Sequence, residues 1–156
     1  MAVCGNYILV DSNDIDDIEN DISLLFDERF EDVLFDIDRT FDIINFIMRN
    51  GFNNYSILEK LVFNGYYIDK EDKELLANIK YIDDVKQIYN IIKNISKEEF
   101  KEKYNSNIKI MNESEDLYPK CNYNDIFEFV FESFEIIKKV YKLAYEQNKN
   151  IIFFLS

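Results

Sequence analysis

A chain of 156 residues with 47% hydrophobic and 16% aromatic side chains has the length and apolar content for one well-filled domain, which argues against disorder. Its 31 Asp and Glu against 18 Lys and Arg give a formal net charge of −13, a surface that repels phosphate backbones and anionic lipid, disfavours nucleic-acid and membrane-surface binding, and steers a basic protein toward it. There is no histidine, so the usual proton shuttle near neutral pH and the commonest zinc ligand are both missing.

Asn6-Tyr7-Ile8-Leu9-Val10 is short, apolar and β-rich, and it stops at Asp11-Ser12-Asn13-Asp14, a run of helix N-cap residues. A strand feeding a helix follows. Ile15, Ile18, Ile22 and Leu25 recur at steps of three and four, so one apolar stripe runs along that helix while its acids crowd the first turn and outer side. A second helix is predicted from Asp36-Ile37-Asp38 to Asn50-Gly51, with Ile37, Phe41, Ile44, Ile47 and Met48 inward, Phe46 widening the face, and Gly51 at a left-handed C′ position.

Phe52 to Asp72 reads as a short helix around Ile57, Leu58, Leu61 and Val62, a turn at Asn64-Gly65 and a strand at Tyr66-Tyr67-Ile68. Ile79 to Ile82 is a short extended piece, and Asp83 caps a helix with Val85, Ile88, Ile91 and Ile92 inward. Ser96-Lys97-Glu98-Glu99 fits a capping box, predicting a helix to about Tyr104 and then a loop from Asn105 to Asn122 that ends with Tyr118-Pro119.

From Asn124 to about Gln147, Tyr123, Phe127, Val130, Phe134, Ile137, Tyr141 and Ala144 form one apolar row, which Phe129, Ile136, Val140 and Leu143 broaden. A helix apolar over so much of its circumference must be covered on more than one side. Asn148-Lys149-Asn150 is a turn, and Ile151 to Leu155 is a wholly apolar strand that belongs in a sheet interior. The expected fold is a single α+β domain over residues 1–156, whose small sheet includes the N-terminal and C-terminal strands and is packed by several helices, the long C-terminal one central to the core.

Cys4 and Cys121 stand far apart without a C-x-x-C spacing, which indicates neither a disulfide framework nor a zinc knuckle and reads as two small buried residues. No leader-like run or membrane-length apolar segment is visible, so the expected location is the cytoplasm. The acids from Asp11 to Asp21 lack the ligand spacing and glycine of a calcium loop and read as a solvated helix face. Asp36 and Asp38 could act as acid and base or share a cation, but capping and a first-turn position account for them better. No G-x-S-x-G, Walker A or dinucleotide motif occurs, and a Ser or Cys nucleophile would lack its histidine base.

Cys4-Gly5-Asn6-Tyr7, the Phe35-Asp36-Ile37-Asp38-Arg39 helix start ending at Gly51, the Tyr118-Pro119 pair, and the long helix through Tyr141 and Ala144 to a terminal apolar strand together resemble the bacterial YfbM-like family. The resemblance runs end to end and implies an α+β fold without implying an activity. It also implies a Trp and one or two His on the helix after the D-I-D-K/R motif. Phe41, Asp42 and Asn45 stand at the matching positions, so a histidine-dependent reaction is not shared.

The functional expectation is a non-enzymatic binding domain that recognises a basic protein partner through exposed tyrosines and complementary charge, as an immunity or antitoxin-like protein would. No catalytic residue, metal ligand or cofactor is assigned. Asp36, Asp38, Arg39, Asp42, Asn45 and Tyr118 are the candidate ligand or partner site. The alternatives are a carboxylate-dependent hydrolase using Asp36 or Asp38 with Arg39 and Tyr118, and a homo-oligomeric structural protein built on the 124–147 helix.

Overall fold

The computed structural model describes residues 2–68 and 75–156. The far end of the segment read from Phe52 to Asp72 therefore lies outside the described residues. Strands β1 (Gly5–Val10), β2 (Leu34–Asp36), β3 (Tyr66–Tyr67), β4 (Asn78–Lys80) and β5 (Asn150–Leu155) form one antiparallel sheet in the order β2-β1-β5-β4-β3. The two long apolar strands pair in the middle, with Tyr7 opposite Phe153 and Ile8 opposite Ile152. Only the short strands β2 and β3 lie at the edges, which leaves little unpaired backbone to recruit another chain.

Both faces of the sheet are covered, and for that reason β1 and β5 are buried along their whole length rather than at alternate residues. Tyr7, Leu9, Ile151, Phe153 and Leu155 point into the larger core with α2 (Phe41–Gly51), α3 (Ile82–Ile92), α4 (Lys97–Glu113) and α5 (Phe127–Gln147). On the opposite face, Ile8, Val10, Ile79, Ile152 and Phe154 meet Ile15 and Ile18 of α1 (Ser12–Asn20), together with Leu25 and Phe30 from two 3₁₀ turns. The single α+β domain with its central terminal strands and long C-terminal helix matches the sequence reading.

Local departures have local causes. The stripe from Ile15 to Leu25 does not ride one helix, because Asp21 closes α1 with an extended backbone and its carboxylate accepts the Ser23 N–H at 3.1 Å, starting a 3₁₀ turn over Ile22–Phe26. The helix expected from Asp36 begins later. Leu34–Asp36 pairs with β1, Asp38–Thr40 is a 3₁₀ turn, and α2 starts at Phe41. Gly51 is helical and not left-handed; a Cβ there would sit 2.9 Å from Lys103 Cβ, so its small size admits α4.

Asp83 lies inside the first turn of α3 and does not cap it. The free Ile82 N–H donates instead to Asn150 Oδ1 at 3.0 Å, which ties the helix start to β5. Ser96 caps α4 by accepting the Glu99 N–H at 3.1 Å, but α4 runs on to Glu113 through the segment expected to be a loop. Tyr104, Asn107 and Met111 are buried at helical spacing, so packing overrides the poor helix propensity of Asn105-Ser106-Asn107. Phe129 is 40% exposed and does not broaden the buried face of α5 as expected. The two cysteines also depart from expectation: Cys4 is half-buried and Cys121 exposed.

Asn64 takes the left-handed conformation at the turn before β3, and Gly65 is needed for another reason. A Cβ on Gly65 would collide with Ile79 O, which cannot move without disturbing β4, and with Asn78 Oδ1, which cannot move without losing the Lys80 hydrogen bond. Gly65→Ala is accordingly expected to destabilise the fold by about 1–3 kcal/mol in a urea titration, with the overpacking of a well-filled site as the cause.

Candidate functional site

Asp36, Asp38 and Arg39 build the turn that delivers the chain from β2 into α2. Asp36 Oδ1 accepts the Asp38 N–H at 2.6 Å, and Asp38 Oδ1 accepts the Arg39 N–H at 2.8 Å. Arg39 Nε stands 3.5 Å from the same carboxylate, and both side chains are about half exposed, so this pair contributes little stability of its own. Asp38 has a φ of 54°, a left-handed geometry that Asp tolerates and that lets the turn close. These contacts engage both carboxylates in shaping the chain.

Tyr118 joins this region to the loop after α4. Its N–H donates to Asp42 Oδ2 at 2.9 Å, its hydroxyl accepts the Val3 N–H at 3.0 Å, and its ring stacks on Phe41 with centroids 5.7 Å apart. Asp42 is thereby held against the loop. Burial pushes its carboxyl above its ordinary value, while the Tyr118 N–H pulls the other way.

Asp42 and Asn45, one turn apart on α2, open together onto a cleft of about 180 Å³ between α2 and the 114–117 segment. Phe46 and Leu117 supply its apolar wall, and Ser114, Asp116, Arg49 and Asn50 complete the lining. Asn45 Oδ1 is the one buried side-chain oxygen or nitrogen among the described residues that lacks a hydrogen-bond partner. A buried acceptor left unpaired costs on the order of 1–3 kcal/mol, which a donor brought by a ligand would recover. With the Asp42 and Asp116 carboxylates lining the same cleft against the single guanidinium of Arg49, it suits a cationic group with several N–H donors. Among the described residues no group of three His, Cys, Asp or Glu is placed to hold a metal ion.

A family model described as a domain of unknown function, DUF1877, matches residues 1–154. The chain belongs to the DUF1877 family. The solved structure of the Escherichia coli protein of unknown function YfbM superposes on it with a TM-score of 0.75 and 16% sequence identity, covering 98% of this chain and 99% of that one. At that identity the likeness shows the fold. No curated protein matches the chain.

In this DUF1877 chain the three positions picked out by the family resemblance separate. Asp42 and Asn45 face the cleft, whereas Phe41 is buried in the core against Tyr118, Phe63 and Phe153. The structure thus gathers Asp42 and Asn45 at the cleft, sets Tyr118 behind Asp42, and leaves Asp36, Asp38 and Arg39 in the preceding turn.

Sequence reasoning missed a second polar group of the DUF1877 fold. Lys80 is fully buried, and its ammonium donates to Val62 O and Asn78 Oδ1 and lies 5.4 Å from the Phe153 ring centroid. The Tyr7 and Tyr141 hydroxyls both donate to Leu61 O, at 2.9 and 2.7 Å. With the Asn78 side-chain amide also donating to Val62 O at 3.2 Å, four side chains fasten the 61–62 backbone to the sheet and α5. Burial drives the Lys80 ammonium well below its ordinary pKa and both tyrosines well above theirs. Lys80 is enclosed, and its hydrogen bonds give it a structural role as a strap for this loop.

Proposed function

We propose that this protein is a binding domain that recognises a basic protein, and that the cleft at Asp42 and Asn45 takes a lysine or arginine side chain of that partner. The observation that carries the reading is the unpaired, buried Asn45 oxygen in a cleft that the Asp42 and Asp116 carboxylates also line. A guanidinium or ammonium entering there supplies the missing donor and charge-assisted bonds to the carboxylates.

The net charge of −13 supports the same reading, because a field of that sign speeds encounter with a basic protein and opposes anionic ones. Tyr55, Tyr66 and Tyr81 are exposed, the last two with ring centroids 6.3 Å apart, and exposed tyrosines are common anchors at protein interfaces. An immunity-like neutraliser of a basic toxin is one biological form of this role. No helix of the described residues is long and apolar enough to cross a membrane.

The test is calorimetric titration with blocked tripeptides, acetyl-Gly-Arg-Gly-amide and its Lys and Gln counterparts. The Arg or Lys peptide is expected to bind while the Gln peptide does not, with affinity falling as salt rises. Asp42→Asn should weaken binding by about tenfold, the equivalent of one charge-assisted bond near 1.4 kcal/mol. Because burial raises the Asp42 pKa, affinity should also start to fall on acidification at a higher pH than an ordinary aspartate would give. Equal binding of the Gln peptide, or an Asp42→Asn variant that binds like the parent, would contradict the proposal.

A further inference from the structure

The surface of this acidic chain is not uniformly acidic. Between α3 and α5 lies a second cleft, of about 310 Å³, lined by Tyr89, Lys93, Glu135, Lys138, Lys139 and Lys142. Lys93 follows the last residue of α3, and the other three lysines stand on α5 at spacings of one, three and four residues. With 31 acids available against 18 bases, a lysine chosen only for solubility would be expected to stand beside a carboxylate. Yet among the described residues none of these four lysines is in an ion pair. Lys138 donates to Ile95 O at 2.9 Å, and Lys93 lies 5.8 Å from the Tyr89 ring centroid. The exposed Lys142 has no hydrogen-bond partner among the described residues, so its ammonium is free to meet a ligand.

We propose that this cleft binds a small anion bearing a phosphate or pyrophosphate group. Four lysines share this cleft with a single carboxylate, Glu135, and an anion that enters offsets the excess positive charge while accepting charge-assisted hydrogen bonds. Its volume falls at the lower limit of small-molecule sites. The Tyr89 ring, itself packed 5.0 Å from Tyr145, forms an aromatic wall against which the rest of the ligand can lie. The rest of the molecule decides between a small anion and a long one. A nucleic acid extends past the cleft into the field of a protein of net charge −13, whereas a small phosphate compound stays within the local positive region, since salt screens beyond roughly 8–10 Å. This site is separate from the Asp42 cleft and opposite to it in charge preference, so either can fail without the other.

Titration of the full chain with inorganic pyrophosphate and with inorganic phosphate, followed by calorimetry and by backbone amide shifts, tests it. Pyrophosphate is expected to bind more tightly than phosphate and to shift amides around Lys93 and Lys142. Removing two of the four charges in K93Q/K142Q should weaken pyrophosphate binding by at least about tenfold. K101Q/K109Q, which removes the same net charge from α4, should bind like the parent. Three results would overturn the proposal: no saturable binding of either anion, equal weakening in the two double variants, or tighter binding of a single-stranded oligonucleotide than of pyrophosphate.

Discussion

Phe153→Ala is expected to cost about 3–5 kcal/mol of folding stability, the range for truncating a fully buried aromatic residue. Phe153 sits at the centre of β5, the strand between β1 and β4, and is fully buried. Its ring meets Tyr7 at 5.0 Å, Phe63 at 5.4 Å and Phe41 at 6.3 Å between centroids, and the Lys80 ammonium at 5.4 Å. Truncation opens a cavity walled by β-sheet backbone and three rings, which cannot collapse to fill it. It also strips the apolar surround from the Lys80 strap. Against a typical domain stability of about 5–15 kcal/mol the loss is a large fraction of the total, readable as a fall in the urea midpoint at constant slope. A midpoint shift worth less than about 1 kcal/mol would mean that the site relaxes, contrary to the packing described.

The second large effect concerns pH. Lys80 keeps its proton less readily in the folded protein than in the unfolded chain, because burial disfavours its charged form. Between the folded pKa and the unfolded value near 10.4, the unfolded chain therefore binds more protons, and stability rises with pH by up to about 1.4 kcal/mol per unit. Stability from this group is complete above the unfolded pKa and lost as pH falls through the folded one. Tyr7 and Tyr141 act in the opposite direction only above about pH 10, where the unfolded chain releases phenolic protons that the fold retains. Urea unfolding of the parent and of Lys80→Met between about pH 7 and 9.5 isolates the lysine, since other groups cancel in the difference. The parent should gain stability relative to the variant as pH rises, and parallel curves would contradict the burial of an ammonium at this position.

Legibility of the fold in the sequence followed the strength of the apolar pattern, continuous in the strands and periodic in the helices. β1 and β5 could be read as short continuous apolar runs and α5 by its 3.6-residue period, patterns that have few other ways to be buried. The extension of α4 could not, because Asn105, Ser106 and Asn107 are poor helix formers and it is tertiary packing, against α2, α5 and the 123–125 turn, that rewards the helix. Strand β2 was hidden because Leu34-Phe35-Asp36 is too short to show alternation and runs into a helix start. Lys80 was invisible for a topological reason. A lysine after Ile79 reads as the outward residue of an alternating strand, but this sheet has helices on both faces, so the outward side is a second core.

The site was legible in part. Asp42 and Asn45 could be singled out through the family resemblance, yet nothing in their spacing announces that Ser114, Asp116 and Leu117 will close a cleft over them. Those residues come from a segment that read as featureless loop and is brought across α2 by the unforeseen length of α4 and by the Tyr118 N–H bond to Asp42. The lysine cleft has the same origin: its residues are ordinary surface choices on each helix, and only the packing of α3 beside α5 makes them converge.

The proposed function depends on whether the cleft that holds the buried Asn45 oxygen and the Asp42 and Asp116 carboxylates is a receptor for cationic side chains. The side-chain amide resonances of Asn45, followed during titration with acetyl-Gly-Arg-Gly-amide, test this most directly. Saturable shifts of those resonances are expected together with the backbone amides of Asp116 and Leu117, needing about tenfold more peptide in Asp42→Asn and unchanged in K93Q/K142Q. An Asn45 signal that stays fixed while the peptide binds elsewhere, or that moves equally with the Gln peptide, would contradict it.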